Sequence, residues 1–107
     1  MLLAAAAAAV CGPVRAASGQ ALEETAYSCD GGWIDAVYVE TGSQSSVVLL
    51  AEGNLVVLKA GPSGSGVRYA PESDTDGYIW HVKGGQGVLA WQEAGRSSLV
   101  LNNCFEQ

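Results

Sequence analysis

From Ala26 to Asn102 the chain alternates short apolar runs with clusters of Gly, Ser, Asn and Asp. No stretch sustains the 3.6-residue period of an amphipathic helix, and short runs bounded by turn residues read as strands. The pattern predicts eight: Ala26–Asp30, Trp33–Glu40, Ser46–Ala51, Leu55–Ala60, Val67–Ala70, Tyr78–Val82, Val88–Gln92 and Ser98–Asn102. Their separators carry turn chemistry: Gly31-Gly32, Thr41-Gly42-Ser43, Glu52-Gly53-Asn54, the Gly61–Gly66 run, Asp74-Thr75-Asp76-Gly77, Gly84-Gly85-Gln86-Gly87 and Ala94-Gly95-Arg96. With no internal repeat, this spacing predicts one all-β domain over residues 26–107, an antiparallel barrel or sandwich. The small, polar segment Ala17–Thr25 reads as a flexible leader.

The first residues carry a different signal. Leu2–Val10 is an uninterrupted apolar run, followed by Cys11-Gly12-Pro13-Val14-Arg15-Ala16-Ala17. That is the form of a secretory signal, too short to span a bilayer, with cleavage expected after Ala16. A competing reading makes Cys11 the lipidated first residue of a lipoprotein, which would attach the chain to a membrane. In either case the domain is exported.

Export changes the charge and the cysteine chemistry. The full chain has 5 Lys and Arg against 11 Asp and Glu, a formal net charge of −6. Removing residues 1–16 takes Arg15 with it and leaves 4 − 11 = −7. An acidic chain of this kind is not a nucleic-acid binder, and a basic partner fits it better. Cleavage after Ala16 leaves two cysteines, Cys29 and Cys104, in a compartment that permits disulfides. A single bridge between them is the natural inference. On the chain-entropy model, a loop of this length contributes at most about 4.5 kcal/mol, enough to decide whether a small domain folds.

Candidate chemistry is sparse. His81 is the one histidine, which excludes a His-rich metal site and leaves any Ser-His-Asp triad dependent on that residue. It lies in an apolar strand and reads as a half-buried structural side chain, so neither enzymatic activity nor a cofactor is expected. The Gly/Ser loop 61–66 presents backbone, but no helix follows to supply a phosphate site. Trp33, Trp80 and Trp91 could form a sugar-stacking platform, and each also suits a core or rim position. Lys83, one of the few cations, ends a strand just before Gly84-Gly85.

Three ordered segments and the paired cysteines carry a more specific signal. Ser63-Gly64-Ser65-Gly66-Val67-Arg68-Tyr69, then Tyr78–Gly84 ending in Lys83-Gly84, then Val100-Leu101-Asn102-Asn103-Cys104 closely resemble the MliC/PliC-type inhibitors of C-type lysozyme. The resemblance runs from Tyr27-Ser28-Cys29 to the C-terminus. It implies a small eight-stranded antiparallel β-barrel closed by one disulfide, located in the periplasm or on the outer membrane. It also implies C-type lysozyme, a basic protein, as partner. In that family the Ser of the Ser-Gly step and the Lys of the Lys-Gly step enter the lysozyme cleft, roles that fall on Ser65 and Lys83. Ser63, Gly66, Tyr69 and Gly84 would complete the binding surface.

The chain departs from the family pattern at two places. Counted back from Lys83, Trp80 stands at the family's first aromatic and His81 replaces a Trp. The segment Ala70–Gly77 is longer and more acidic than usual, which an extended hairpin tip would absorb. Beside the inhibitor reading stand a carbohydrate-binding module built on the tryptophans and a purely structural envelope protein.

Overall fold

The computed structural model describes residues 21–73 and 75–107. The signal segment 1–16, with Cys11, lies outside them. Eight strands follow in order: β1 (Ala21–Asp30), β2 (Gly32–Thr41), β3 (Gln44–Ala51), β4 (Asn54–Gly61), β5 (Val67–Ala70), β6 (Gly77–Lys83), β7 (Gln86–Glu93) and β8 (Arg96–Glu106). Each pairs antiparallel with the next, and β8 returns to β1, giving the closed barrel.

The turns explain why the strands meet in this order. Glu52-Gly53, Gly84-Gly85 and Ala94-Gly95 each combine two positive φ values, 54° and 79°, 59° and 81°, and 51° and 80°. These are the two-residue turns whose twist matches that of the flanking strands. Ala51 thereby faces Asn54, Lys83 faces Gln86, and Glu93 faces Arg96.

The period of two sorts the side chains. Ile34 and Ala36 of β2, Val47, Leu49 and Ala51 of β3, Trp80 of β6 and Leu89 of β7 point inward and are buried. Trp80 is the largest of the fully buried side chains. Its ring meets Tyr27 edge-to-face at 5.0 Å, and its Nε1 donates to the Tyr38 hydroxyl at 2.9 Å. The Tyr27 and Tyr38 hydroxyls lie 2.7 Å apart. A Cβ on Gly87 would overlap the Trp80 indole, so that position in β7 is glycine because the ring occupies the space.

The barrel seam depends on an irregularity in β8. Leu101 and Cys104 are both buried although three residues apart, a spacing that strict alternation forbids. Asn103 between them adopts φ 52°, and the register shifts on both sides of β8. The extra residue is a bulge that turns Cys104 inward, and asparagine tolerates the left-handed conformation it needs. Asn103 Nδ2 donates to Asp30 Oδ2 across the seam at 2.7 Å. Cys104 forms the disulfide with Cys29 of β1, joining first strand to last across 75 residues of sequence.

One expectation needs correction. Residues 21–25, assigned to a flexible leader, are instead the first half of β1. Ala21 through Thr25 pair with Glu40 through Ala36 of β2, and they are mostly exposed. Backbone pairing holds this segment rather than side-chain burial, so no apolar pattern marks it. By contrast, the acidic loop after β5 sits at its hairpin tip as expected. There Glu72 approaches Lys59 at 3.5 Å and the Asp76 carboxylate accepts from the Ala94 N–H at 3.1 Å.

Two expectations follow. The mature protein should have no free thiol by mass spectrometry, and reduction should lower Tm sharply because loop-closure entropy of up to about 4.5 kcal/mol returns to the unfolded chain. Gly87→Ala should cost about 1–3 kcal/mol through overpacking against Trp80, roughly 5–20 °C in Tm by calorimetry, whereas Gly42→Ala meets no atom within 4 Å and strains only its backbone.

Candidate functional site

Register brings the Ser loop and the Lys turn together. Val67 of β5 pairs with Val82 of β6, so the residue preceding β5 lies beside the residue ending β6. That neighbour pair is Gly66 and Lys83. Gly66 has φ 70°, and a Cβ there would overlap the Val82 carbonyl oxygen and come within 3.0 Å of Lys83 Cβ. Only glycine permits this approach. The step from Ser65 into β5 is thus pressed onto the strand that carries Lys83.

Both principal side chains are available to a partner. Lys83 is exposed at the mouth of the barrel, on the strand-end side of the Gly84-Gly85 turn. Among the described residues it makes no salt bridge, unlike Lys59, which meets Glu72. Ser65 is exposed and its hydroxyl has no partner within the described residues, although its carbonyl oxygen accepts from the Ser63 hydroxyl at 2.8 Å. The loop therefore holds Ser65 by its backbone and leaves the side chain free.

A cleft of about 270 Å³ opens at this mouth. Gly66, Lys83 and Gly84 line it together with Glu23, Tyr27 and Glu106, and the Glu106 N–H donates to the Gly85 carbonyl oxygen at 3.0 Å, beside the Lys83 turn. Tyr27 has its pKa raised by burial, then by its hydrogen bond to Tyr38 and by the nearby Glu106 carboxylate. Burial likewise raises Tyr38, against hydrogen bonds from Trp80 and Tyr27 that lower it. Both phenols stay neutral in ordinary buffers, so Lys83 and the two carboxylates carry the formal charge lining the cleft. Among the described residues no cluster of His, Cys, Asp and Glu could hold a metal ion.

Several expected residues take different places. Tyr69, assigned to the binding surface, is 5% exposed and packs on Tyr38 with ring centroids 5.7 Å apart. It points inward in β5 and supports the site from beneath. Ser63 is exposed in the loop before β5, but its hydroxyl is engaged within the loop. Trp80 fills the core while Trp33 is 61% exposed, so the three tryptophans do not form one surface platform. His81, expected to be half-buried, is exposed on the outer face of β6, with Nε2 2.8 Å from the Ser65 carbonyl oxygen. Arg68 donates to Gln92 Oε1 at 3.2 Å and is a structural residue of β5.

Sequence reasoning missed Glu23 and Glu106, which line the mouth because β1 and β8 run further than their apolar patterns extend. It also missed the contact made by His81. The signal available for that contact was the replacement of a tryptophan by a hydrogen-bonding ring just before Val82-Lys83.

Comparison with known proteins agrees with this geometry. No curated protein sequence matches the chain. Solved structures share the fold, two of them lysozyme inhibitors. Pseudomonas aeruginosa MliC, crystallised in complex with hen egg white lysozyme, aligns with TM-score 0.61 and 23% identity over 89% of this chain and 91% of that one. PliC, the periplasmic lysozyme inhibitor of C-type lysozyme from Salmonella typhimurium, aligns with TM-score 0.67 and 19% identity over 81% of this chain and 99% of that one. The family model described as membrane-bound lysozyme-inhibitor of c-type lysozyme matches residues 27–97, most of the barrel, and the chain belongs to that MliC family.

Proposed function

We propose that the protein is an exported inhibitor of C-type lysozyme that acts by inserting Lys83 and Ser65 into the enzyme's catalytic cleft, protecting bacterial peptidoglycan. The observation that carries the reading is that, among the described residues, an unbridged Lys83 and an unpartnered Ser65 hydroxyl meet at one end of a closed barrel. Family membership and the lysozyme complex of the Pseudomonas aeruginosa relative support it.

The chemistry suits the target. A retaining glycosidase such as lysozyme places two carboxyl groups roughly 5 Å apart across the scissile bond. A lysine ammonium between them meets opposite charge in a partly desolvated cleft, while a serine hydroxyl donates to one carboxylate and accepts from a neighbour. Neither group offers a bond to hydrolyse, so the chain blocks the cleft without being a substrate. It is an inhibitor and not an enzyme in this reading. Its place is the cell envelope, either free in the periplasm or attached to the outer membrane through a lipidated Cys11.

Truncation of Lys83 leaves target carboxylates buried without a partner, a cost on the order of 2–5 kcal/mol. Lys83→Ala should therefore raise the inhibition constant by well over tenfold. Ser65→Ala removes a charge-assisted hydrogen bond of roughly 1.5–3 kcal/mol and should cost somewhat less. Neither change should move Tm appreciably, because both side chains are exposed. Arg68→Ala is the control, since its partner is Gln92. Full inhibition by both the Lys83 and Ser65 variants would remove the proposed site.

The acidic surface gives a second expectation. Formal charge of −6 on the full chain, or −7 after cleavage, steers the barrel toward a basic enzyme and acts mainly on association. The screening length falls from about 30 Å at 0.01 M salt to about 8 Å at 0.15 M. Stopped-flow association with lysozyme should slow over that range while dissociation changes less; a salt-independent association rate would assign the charge to solubility alone.

A further inference from the structure

His81 is the polar side chain beside the site that the inhibitor reading leaves without a role. Its ring leaves the outer face of β6, between the inward-facing Trp80 and Val82. Nε2 lies 2.8 Å from the Ser65 carbonyl oxygen and 3.4 Å from Ser63 Oγ, while Ser63 Oγ itself donates to the same carbonyl. A carbonyl only accepts, so the ring nitrogen facing it carries a proton. Among the described residues, these are the side-chain hydrogen bonds that involve the segment Gly61–Gly66.

The loop needs such a tether. Gly61-Pro62-Ser63-Gly64-Ser65-Gly66 contains three glycines, and a Cβ at Gly61 or Gly64 would meet nothing within 4 Å, so packing does little to order it. Gly66 is fixed against Val82, but Ser65 is exposed and has no apolar side chain to bury. His81 and Lys83 stand two residues apart on the same face of one strand, about 7 Å along it. A bond from His81 to Ser65 therefore ties the serine to the element that aims the lysine.

We infer that His81 is a positioning residue of the inhibitory edge: its Nε2–H holds the Ser65 carbonyl so that the Ser65 hydroxyl stands at a fixed spacing from Lys83 before the partner arrives. The inference rests on the proposed function for its consequence but not for its geometry. With the tether intact, ordering of the glycine-rich loop is already complete in the free protein. Without it, that ordering falls on the binding step and weakens affinity.

Two measurements on the full exported chain test this. In the free protein, nitrogen-15 relaxation of the Ser65 and Gly66 amides should report a rigid loop, and His81→Ala should loosen it while leaving Tm and the Trp80 environment unchanged. His81→Gln, whose amide can donate from a similar position, should restore much of the order. Against lysozyme, His81→Ala should weaken inhibition roughly three- to tenfold, the worth of one net hydrogen bond. In a Ser65→Ala background the loss should shrink, since no hydroxyl remains to be positioned; in a Lys83→Ala background it should persist. An equally rigid loop in His81→Ala overturns the inference, as does a loosened loop with unchanged inhibition. Absence of lysozyme inhibition by the parent chain overturns the proposed function instead, and the loop measurement then decides on the tether alone.

Discussion

The packing of Trp80 over Gly87 is the constraint on which the rest of the barrel depends. An indole of this size fits inside a small closed sheet only if the facing strand gives up a side chain, and β7 does so at Gly87. The ring also meets Tyr27 edge-to-face and donates to the Tyr38 hydroxyl, so strands β1, β2, β6 and β7 converge on one residue. Because side chains alternate along β6, fixing Trp80 inward fixes His81 and Lys83 outward. The largest fully buried side chain and the proposed inhibitory edge lie within four residues of each other on a single strand.

The seam is the second constraint, and it is set by one backbone irregularity. Without the left-handed Asn103 the alternation of β8 would turn Cys104 outward, away from Cys29. The motif Asn102-Asn103-Cys104 is therefore a bulge followed by the residue the bulge re-aims. Beyond the bulge β8 runs on to Glu106, which reaches the mouth beside the Gly84-Gly85 turn.

How far the sequence revealed this depends on what kind of force acts at each position. The turns Glu52-Gly53, Gly84-Gly85 and Ala94-Gly95 were legible because a two-residue hairpin needs positive φ and glycine announces it. The eight strands were legible wherever one face is buried. Residues Ala21–Thr25 were not, because they are held by backbone pairing to β2 and bury almost no side chain. Tyr69 shows the reverse case: membership in a binding motif placed it at the surface, yet its position in β5 turns it into the core. The proximity of Ser65 and Lys83 came from family resemblance, and its physical cause, Gly66 seated on Val82, is visible only in three dimensions. His81 was legible as a departure but not as a tether, since a hydrogen bond to a loop carbonyl leaves no periodic trace.

The mouth is lined by one cation and two carboxylates of its own chain, on a molecule that is otherwise strongly acidic. In the proposed function, such a surface would approach a basic enzyme through its overall field and deliver Lys83 to carboxylates at the end of that approach. The central claim is that this edge occupies the catalytic cleft. Its most direct test is competition: lysozyme binding to the protein, measured by titration calorimetry with and without a saturating oligosaccharide that fills the substrate cleft. The account predicts mutually exclusive binding, with apparent affinity falling in proportion to cleft occupancy. Undiminished affinity and a ternary complex of protein, lysozyme and saccharide would contradict it.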